Sequence, residues 1–461
     1  MQADYDDIID RAAATAKAWL AGFEERPIPP TAMVGDVRRH LGERLPATGS
    51  DQDAVLERLT AAVEPGLMAI QSSRFYGWVM GGTFPVALGA DWLVTAWDQN
   101  AGMRDATPGV VAAEELAGEY LLDLLGLPAT ADVGFVTGAT TANMVGLIAG
   151  RTAVLRRAGW DVNRDGLAGG PRIRFIAGAE RHTSVDLAAR YAGLGLPLTV
   201  EADDQGRIRV DLLRSLLAEG EGPTIVCLQA GNLHSGAFDD FTGAIEAAHD
   251  AGAWVHIDGA FGLWAGAASG LRHLTAGYDG ADSWATDAHK TLNVPYDCGI
   301  AVVADPVALN GAFSIHAAYL PRPAEGFDPY EKVPEMSRRA RGVTVWATLA
   351  WLGRQGVDDL VQRLADSASA LAQGLAQLPG VTILNDVVFT QVCLALEDDE
   401  AIAALAAALR ADGTIFASPS RWRDRAVLRF SVSNWGTDET AVARTIEAVR
   451  SALASIRADV G

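Results

Sequence analysis

Apolar and polar positions follow two alternating periods through the middle of this chain. Between about residues 110 and 305, short apolar runs recur at 133–137, 173–177, 224–229, 254–258, 283–286 and 300–304. Segments with helical apolar spacing lie between them, at 140–157, 184–193 and 241–251. Strands alternating with helices of this length predict an α/β architecture, a mainly parallel central sheet flanked by helices. In such sheets ligands bind beyond the C-terminal strand ends. Residues 1–85 read as helical and irregular, with helical spacing at 53–63 and a breaker at Arg26-Pro-Ile-Pro-Pro30. The aromatic stretch Arg74-Phe-Tyr-Gly-Trp78 and the glycine-rich residues after it suit a buried crossing or a subunit interface. Residues 306–342 show no clear periodicity and hold five prolines, as a lid would. A helix is expected over 344–374. The last eighty or so residues carry strand patterns at 391–396, 414–418 and 427–432 and helices at 400–410 and 438–457, a smaller α+β unit. The expected division is an N-terminal helical segment (1–85), a large α/β domain (86–355) and a small C-terminal domain (356–461).

Composition narrows the function. The chain has 461 residues and is 49% hydrophobic, which allows a large core without disulfides or zinc. Asp and Glu number 58 against 37 Lys and Arg, a net charge of −21. That excess argues against nucleic-acid binding and against docking on an anionic membrane. The three cysteines are widely spaced and form no CxxC, so no disulfide framework or metal site is indicated. The N-terminus is acidic and lacks the features of a secretory signal, and a cytoplasmic location is expected. The longest uncharged run, residues 133–150, holds three threonines and an asparagine and reads as strand, loop and helix rather than as a membrane span. Only three of the basic residues are lysines: Lys17, Lys290 and Lys332.

The lysine count matters because of one stretch. Val255-His-Ile-Asp-Gly-Ala-Phe-Gly262 ends an apolar strand on Asp258, and Ala288-His-Lys-Thr-Leu-Asn-Val-Pro-Tyr-Asp-Cys-Gly299 places Lys290 just after the next strand. A strand-end carboxylate followed by a semi-buried lysine suits pyridoxal 5'-phosphate (PLP). That cofactor needs an amine to hold its aldehyde and an acid to keep its pyridine nitrogen protonated. Each residue alone also fits a structural role, Asp258 as a helix cap and Lys290 as a solvated lysine. Lys17 lies in an N-terminal helix and Lys332 in the proline-rich segment, so a catalytic lysine would be Lys290. Phe135-Val-Thr-Gly-Ala-Thr-Thr-Ala-Asn143 runs from strand through glycine into hydroxyl residues that open a helix. That pattern cradles a phosphate, although Thr140 is equally an ordinary cap.

With these residues the chain resembles the group II PLP-dependent amino-acid decarboxylases, the fold type I family of aromatic-amino-acid, histidine and glutamate decarboxylases. The resemblance runs from about residue 70 to the C-terminal strand and helix. It implies decarboxylation of an L-amino acid to its amine, in a homodimer with active sites at the interface; the aromatic stretches 75–78 and 92–97 give a weak preference for an aromatic substrate and fit core or dimer contact equally. It also implies roles. His182 would stack on the cofactor ring and Ala260 would pack its other face. Ala139, Thr140 and His289 would contact the phosphate, and Asn232 would lie on a loop near the cofactor. Tyr330 would be the mobile-loop tyrosine that protonates the product carbon. Arg429, opposite Leu428 and Phe430 by strand alternation, would hold the substrate carboxylate. Thr141 and Asp287 depart from the family pattern, which often has an acid at the first position and asparagine at the second.

Rival readings stay open at this point. Other PLP chemistry on the same scaffold includes transamination, desulfuration and oxidative decarboxylation to an aldehyde. A nicotinamide dehydrogenase would need a G-x-G-x-x-G after an early strand, and none is present. A non-catalytic protein of the same fold is the third.

Overall fold

The computed structural model describes residues 5–315 and 326–458. The chain opens with three helices, α1 (Tyr5–Ala21), α2 (Val34–Leu41) and α3 (Gln52–Val63), in which only Ala62 is buried. After them come a two-residue strand β1 (Phe75–Tyr76), then α4 (Pro85–Trp97) and α5 (Pro108–Leu125).

The strands of the large sheet are β2 (Asp132–Val136), β3 (Arg174–Gly178), β4 (Leu198–Val200), β5 (Thr224–Gln229), β6 (Trp254–Asp258), β7 (Ser283–Asp287) and β8 (Gly299–Val303). They lie in the order β2-β8-β7-β6-β5-β3-β4, and only β8 runs against its neighbours. The connecting helices are α6 (Ala139–Arg157), α7 (Val162–Asp165), α8 (Thr183–Tyr191), α9 (Val210–Ala218) and α10 (Phe241–Asp250). Helices cover both faces of the sheet, so each strand alternates between two apolar layers. Val255 and Ile257 of β6 enter one layer and Trp254 the other; Val226 and Leu228 of β5 oppose Ile225 and Cys227 in the same way.

Past β8, α11 (Pro306–Phe313) occupies the start of the segment expected to be a lid. Its proline is at the first helical position and Asp305 caps it through Val307 N–H, so the residue that reads as a breaker starts a helix. The long helix α12 (Arg341–Ala376) breaks at Gly353, whose φ of 61° favours glycine. The small domain is built on a five-stranded sheet. Four of its strands are β9 (Thr382–Ile383), β10 (Gln391–Ala395), β11 (Phe416–Trp422) and β12 (Arg425–Ser431), packed with α13 (Asp399–Asp412) and α14 (Glu439–Ala458). The fifth is β1, parallel to β11, so residues 75–76 belong to the small sheet. Among the described residues, no helix is long and apolar enough to cross a membrane; residues 133–150 are β2, a turn and the first part of α6.

Candidate active site

Parallel strands end their C-termini on one edge of the sheet, and there the sequence has placed its chemistry. A cavity of about 220 Å³ lies at that edge. It gathers Ala139 and Thr140 from the start of α6, His182 from the start of α8, Asp258 and Ala260 from the end of β6, and His289 and Lys290 from the turn after β7. Of the three lysines only Lys290 is here. Lys17 is exposed on α1, and Lys332 Nζ pairs with Asp132 at 2.6 Å.

The Lys290 turn is held from outside the sheet. Gly81 N–H donates to the His289 carbonyl (3.3 Å) and Gly82 N–H to Asn293 Oδ1 (2.6 Å). A Cβ at Gly81 would collide with the Lys290 carbonyl, so the glycine lets the N-terminal stretch cross directly over the turn. Lys290 Nζ lies 2.9 Å from Asp287 Oδ2.

Asp258 is 4% exposed and accepts a hydrogen bond from Ala260 N–H at 3.2 Å. No basic side chain comes within ion-pair distance of it among the described residues. Burial raises its pKa, while His182 and Lys290 pull it back down. A desolvated carboxylate short of a cation is what a protonated pyridine nitrogen would complete. The other end of the cavity offers the start of α6, capped by no side chain of its own N-cap residue, Gly138, together with the Thr140 hydroxyl. A phosphate fits such a helix start. The residues present therefore fit PLP at both ends and in the middle.

His182 opens α8. Its Nδ1 accepts the Ser184 N–H at 3.2 Å, so this nitrogen carries no proton. The ring edge is open at the cavity mouth, yet burial is the largest influence and lowers its pKa, with Asp258 opposing. A neutral imidazole is the form suited to lie against a cationic ring. His289 is lowered for the same reason, with Asp287 opposing, and Tyr296 stacks on it at 4.2 Å between centroids.

Three expected residues are not in the cavity wall. Asn232 is buried and spent on its own loop: Oδ1 accepts from His234 N–H (2.8 Å) and Ser235 N–H (3.1 Å), and Nδ2 turns to Glu180. Its neighbours Gly231 and Leu233 line the cavity instead. Arg429 faces away from Leu428 and Phe430 as alternation requires. However, β12 lies between β10 and β11, and the guanidinium is buried rather than at an edge. Its Nη1 bonds the carbonyls of Trp78 (2.8 Å) and Leu233 (3.1 Å) and the Ser431 hydroxyl (2.9 Å). Arg429 thus ties down two loops beside the cavity, and burial lowers its pKa to about 10. Tyr330 sits in a 3₁₀ turn, 5% exposed, its N–H on the Gly102 carbonyl (3.2 Å). The other tyrosine of that segment, Tyr319, lies outside the described residues, as does the rest of 316–325.

Sequence reading missed Gln229, Ser184 and Val79, all in the wall. Gln229 ends β5 in register with Asp258, a neighbourhood that exists only in the folded sheet. The three cysteines are buried, and burial pushes their thiols up, Cys393 to about 12. None is poised as a nucleophile.

Comparison with known proteins agrees with this chemistry. The pyridoxal-dependent decarboxylase conserved domain matches residues 35–397. Tryptophan decarboxylase 1 of Oryza sativa subsp. japonica is 25% identical over 97% of this chain and 93% of its own length. The aromatic-L-amino-acid decarboxylase of Mus musculus is 26% identical over 95% and 92%. Among solved structures, Oryza sativa TDC with PLP and tryptamine superposes with a TM-score of 0.92 at 22% identity, covering 99% of both chains.

Proposed function

The chain belongs to the pyridoxal-dependent decarboxylase family and is a PLP-dependent amino-acid decarboxylase, and from that premise we propose that it converts an aromatic L-amino acid to its amine and CO2. The relatives support the substrate: both the rice and the mouse enzyme are decarboxylases of aromatic amino acids. The convergence of Lys290, Asp258 and His182 at the strand ends carries the chemistry.

When bound, PLP supplies an electron sink for the pair left at Cα as the carboxylate departs. Lys290 Nζ would hold the cofactor aldehyde and yield it to the substrate amine. Asp258, desolvated at the end of β6, would keep the proton on the pyridine nitrogen and so lower the barrier electrostatically. His182 and Ala260 would fix the ring plane between them. Ala139, Thr140 and His289 would line the phosphate corner at the start of α6. Val79, Leu233 and Phe261 supply apolar wall that excludes water. The proton returned to Cα needs an acid on the open side. Tyr330 stays the candidate for that acid, 5% exposed in its 3₁₀ turn.

The proposal extends to assembly and setting. The protein acts as a homodimer with active sites near the interface, in a reducing cytoplasm that suits three free cysteines. The division at 85 and 355 is retained, since α4 starts at Pro85 and α12 breaks at Gly353, with β1 as the tie between the arm and the small domain.

Purified protein supplied with PLP is expected to be yellow and to bleach on borohydride reduction, and Lys290→Ala is expected to stay colourless. Offered the common amino acids, the enzyme should release CO2 and an amine fastest from an aromatic one. A colourless wild type would overturn the cofactor site. A coloured enzyme that acts only on acidic or aliphatic amino acids would overturn the substrate, and aldehyde in place of amine would overturn the product.

A further inference from the structure

Asp287 is the one charged residue in the cavity wall with no part in the reaction proposed for this site. It ends β7, is 2% exposed, and both its oxygens are taken. Oδ1 accepts the Ala139 N–H at 2.6 Å, across the sheet. Oδ2 lies 2.9 Å from Lys290 Nζ and 3.6 Å from His289 Nε2. Because the N-cap of α6 is Gly138, with no side chain to offer, Asp287 is the side chain that caps this 19-residue helix.

We propose that Asp287 sets how firmly the cofactor is held, by stabilising the cofactor-free cavity against the loaded one. The inference rests on the PLP reading of this site. Two effects act with the same sign. A helix start favours one anion, and a carboxylate already placed there repels a phosphate brought to the same corner. Asp287 also holds Lys290 Nζ at 2.9 Å, and that contact is given up when Nζ turns to an aldehyde. A group that favours one of two states shifts their equilibrium by its differential interaction, and here both interactions favour the empty site.

The isosteric change Asp287→Asn separates charge from architecture. Asparagine keeps an oxygen for the Ala139 N–H, so the cap survives while the negative charge is lost. Apoprotein of wild type and of D287N would be titrated with PLP, followed by the visible band, and separately with inorganic phosphate by calorimetry; thermal unfolding of each apoprotein would be recorded alongside. D287N is expected to bind PLP about tenfold more tightly or better, a difference of about 1.4 kcal/mol, and to bind inorganic phosphate more tightly as well. Its apoprotein should melt close to wild type. A merely structural Asp287 predicts the opposite sign, a lower melting temperature and weaker binding of both ligands. Equal or weaker PLP binding by a D287N apoprotein that melts like wild type overturns the inference. Asp287→Ala loses cap and charge together, and it too should hold inorganic phosphate more tightly than wild type; if it does not, the charge is not what matters. A wild type that binds no PLP would sink the cofactor reading instead, which keeps the two failures distinct.

Discussion

Four of the eight histidines, His182, His234, His256 and His289, sit where burial disfavours their charged form. His256 is the extreme case. Its Nδ1 meets the Ser283 hydroxyl at 2.9 Å and its Nε2 meets Asn143 Oδ1 at 2.8 Å, beneath the first turns of α6, and burial lowers its pKa to about 3. The unfolded chain protonates this ring near pH 6.5 and the folded one only near 3. Its contribution to stability is therefore complete above about pH 6.5 and falls as pH drops toward 3, by up to about 1.4 kcal/mol per pH unit in between. Unfolding at pH 5 should take up close to one proton more in wild type than in His256→Gln, measured directly as pH change on denaturation in weak buffer. Equal uptake would show that His256 is already charged when folded. At this scale the sequence was informative where a residue's chemistry and its strand-end position coincided, as for Asp258 and Lys290. It was uninformative for Gln229, because β5 and β6 become neighbours only in the folded sheet. The contacts of Asn232 and Arg429 were not legible, because nothing local shows that Asn232 Nδ2 turns to Glu180 or that the Arg429 guanidinium bonds the carbonyls of Trp78 and Leu233.

Interior strands were legible as elements because two covered faces leave little room for polar positions; 224–229 and 254–258 match β5 and β6 in full. The segment after β8 was not, since prolines mark helix starts as well as breaks, and Pro306 is a start. One buried ion pair anchors the chain where it enters α12. Arg338 Nη1 and Nη2 grip Glu114 of α5 at 2.7 and 3.0 Å, and the same guanidinium reaches the carbonyls of Ala101 (2.6 Å) and Phe135 (3.2 Å). Glu114 also accepts the Gly342 N–H at 3.0 Å, capping the start of α12. Four chain segments are thereby fixed by two side chains. Removing one partner leaves the other charge buried and unpaired, so Arg338→Met should cost about 3–5 kcal/mol. Adding Glu114→Leu removes the stranded carboxylate and should recover much of that loss, apart from the cap on α12. Urea unfolding of the two single variants and the double variant, read as a double-mutant cycle, checks this. Strictly additive losses would mean that the two residues act independently.

At the scale of the whole molecule, the N-terminal arm has no core of its own. Helices α1 and α2 bury nothing and α3 buries one alanine, yet α1 and α3 with Leu88 and Trp92 line an apolar groove of about 680 Å³. Trp92, which lines it, and Leu93 and Trp97 of α4 are exposed on the single chain, as are Trp346 and Trp351 of α12, a helix packed on α4. Helices of 8 to 17 residues without a packed face are marginal in water, and an exposed apolar groove of this size marks an interaction site. A second copy of the chain is the occupant we expect, because it brings the same apolar face for burial, whereas the net charge of −21 disfavours nucleic acid. That same charge makes the copies repel, so the dimer should loosen at low ionic strength and tighten with salt, the reverse of an interface built on opposite charges. Sedimentation at two salt concentrations reads this directly. Truncation of residues 1–66 should leave a monomer, and if the cavity is completed at the interface, that monomer should also lose amine production while keeping the Lys290 colour. A full-length chain that sediments as a monomer while fully active would remove the arm from the function altogether.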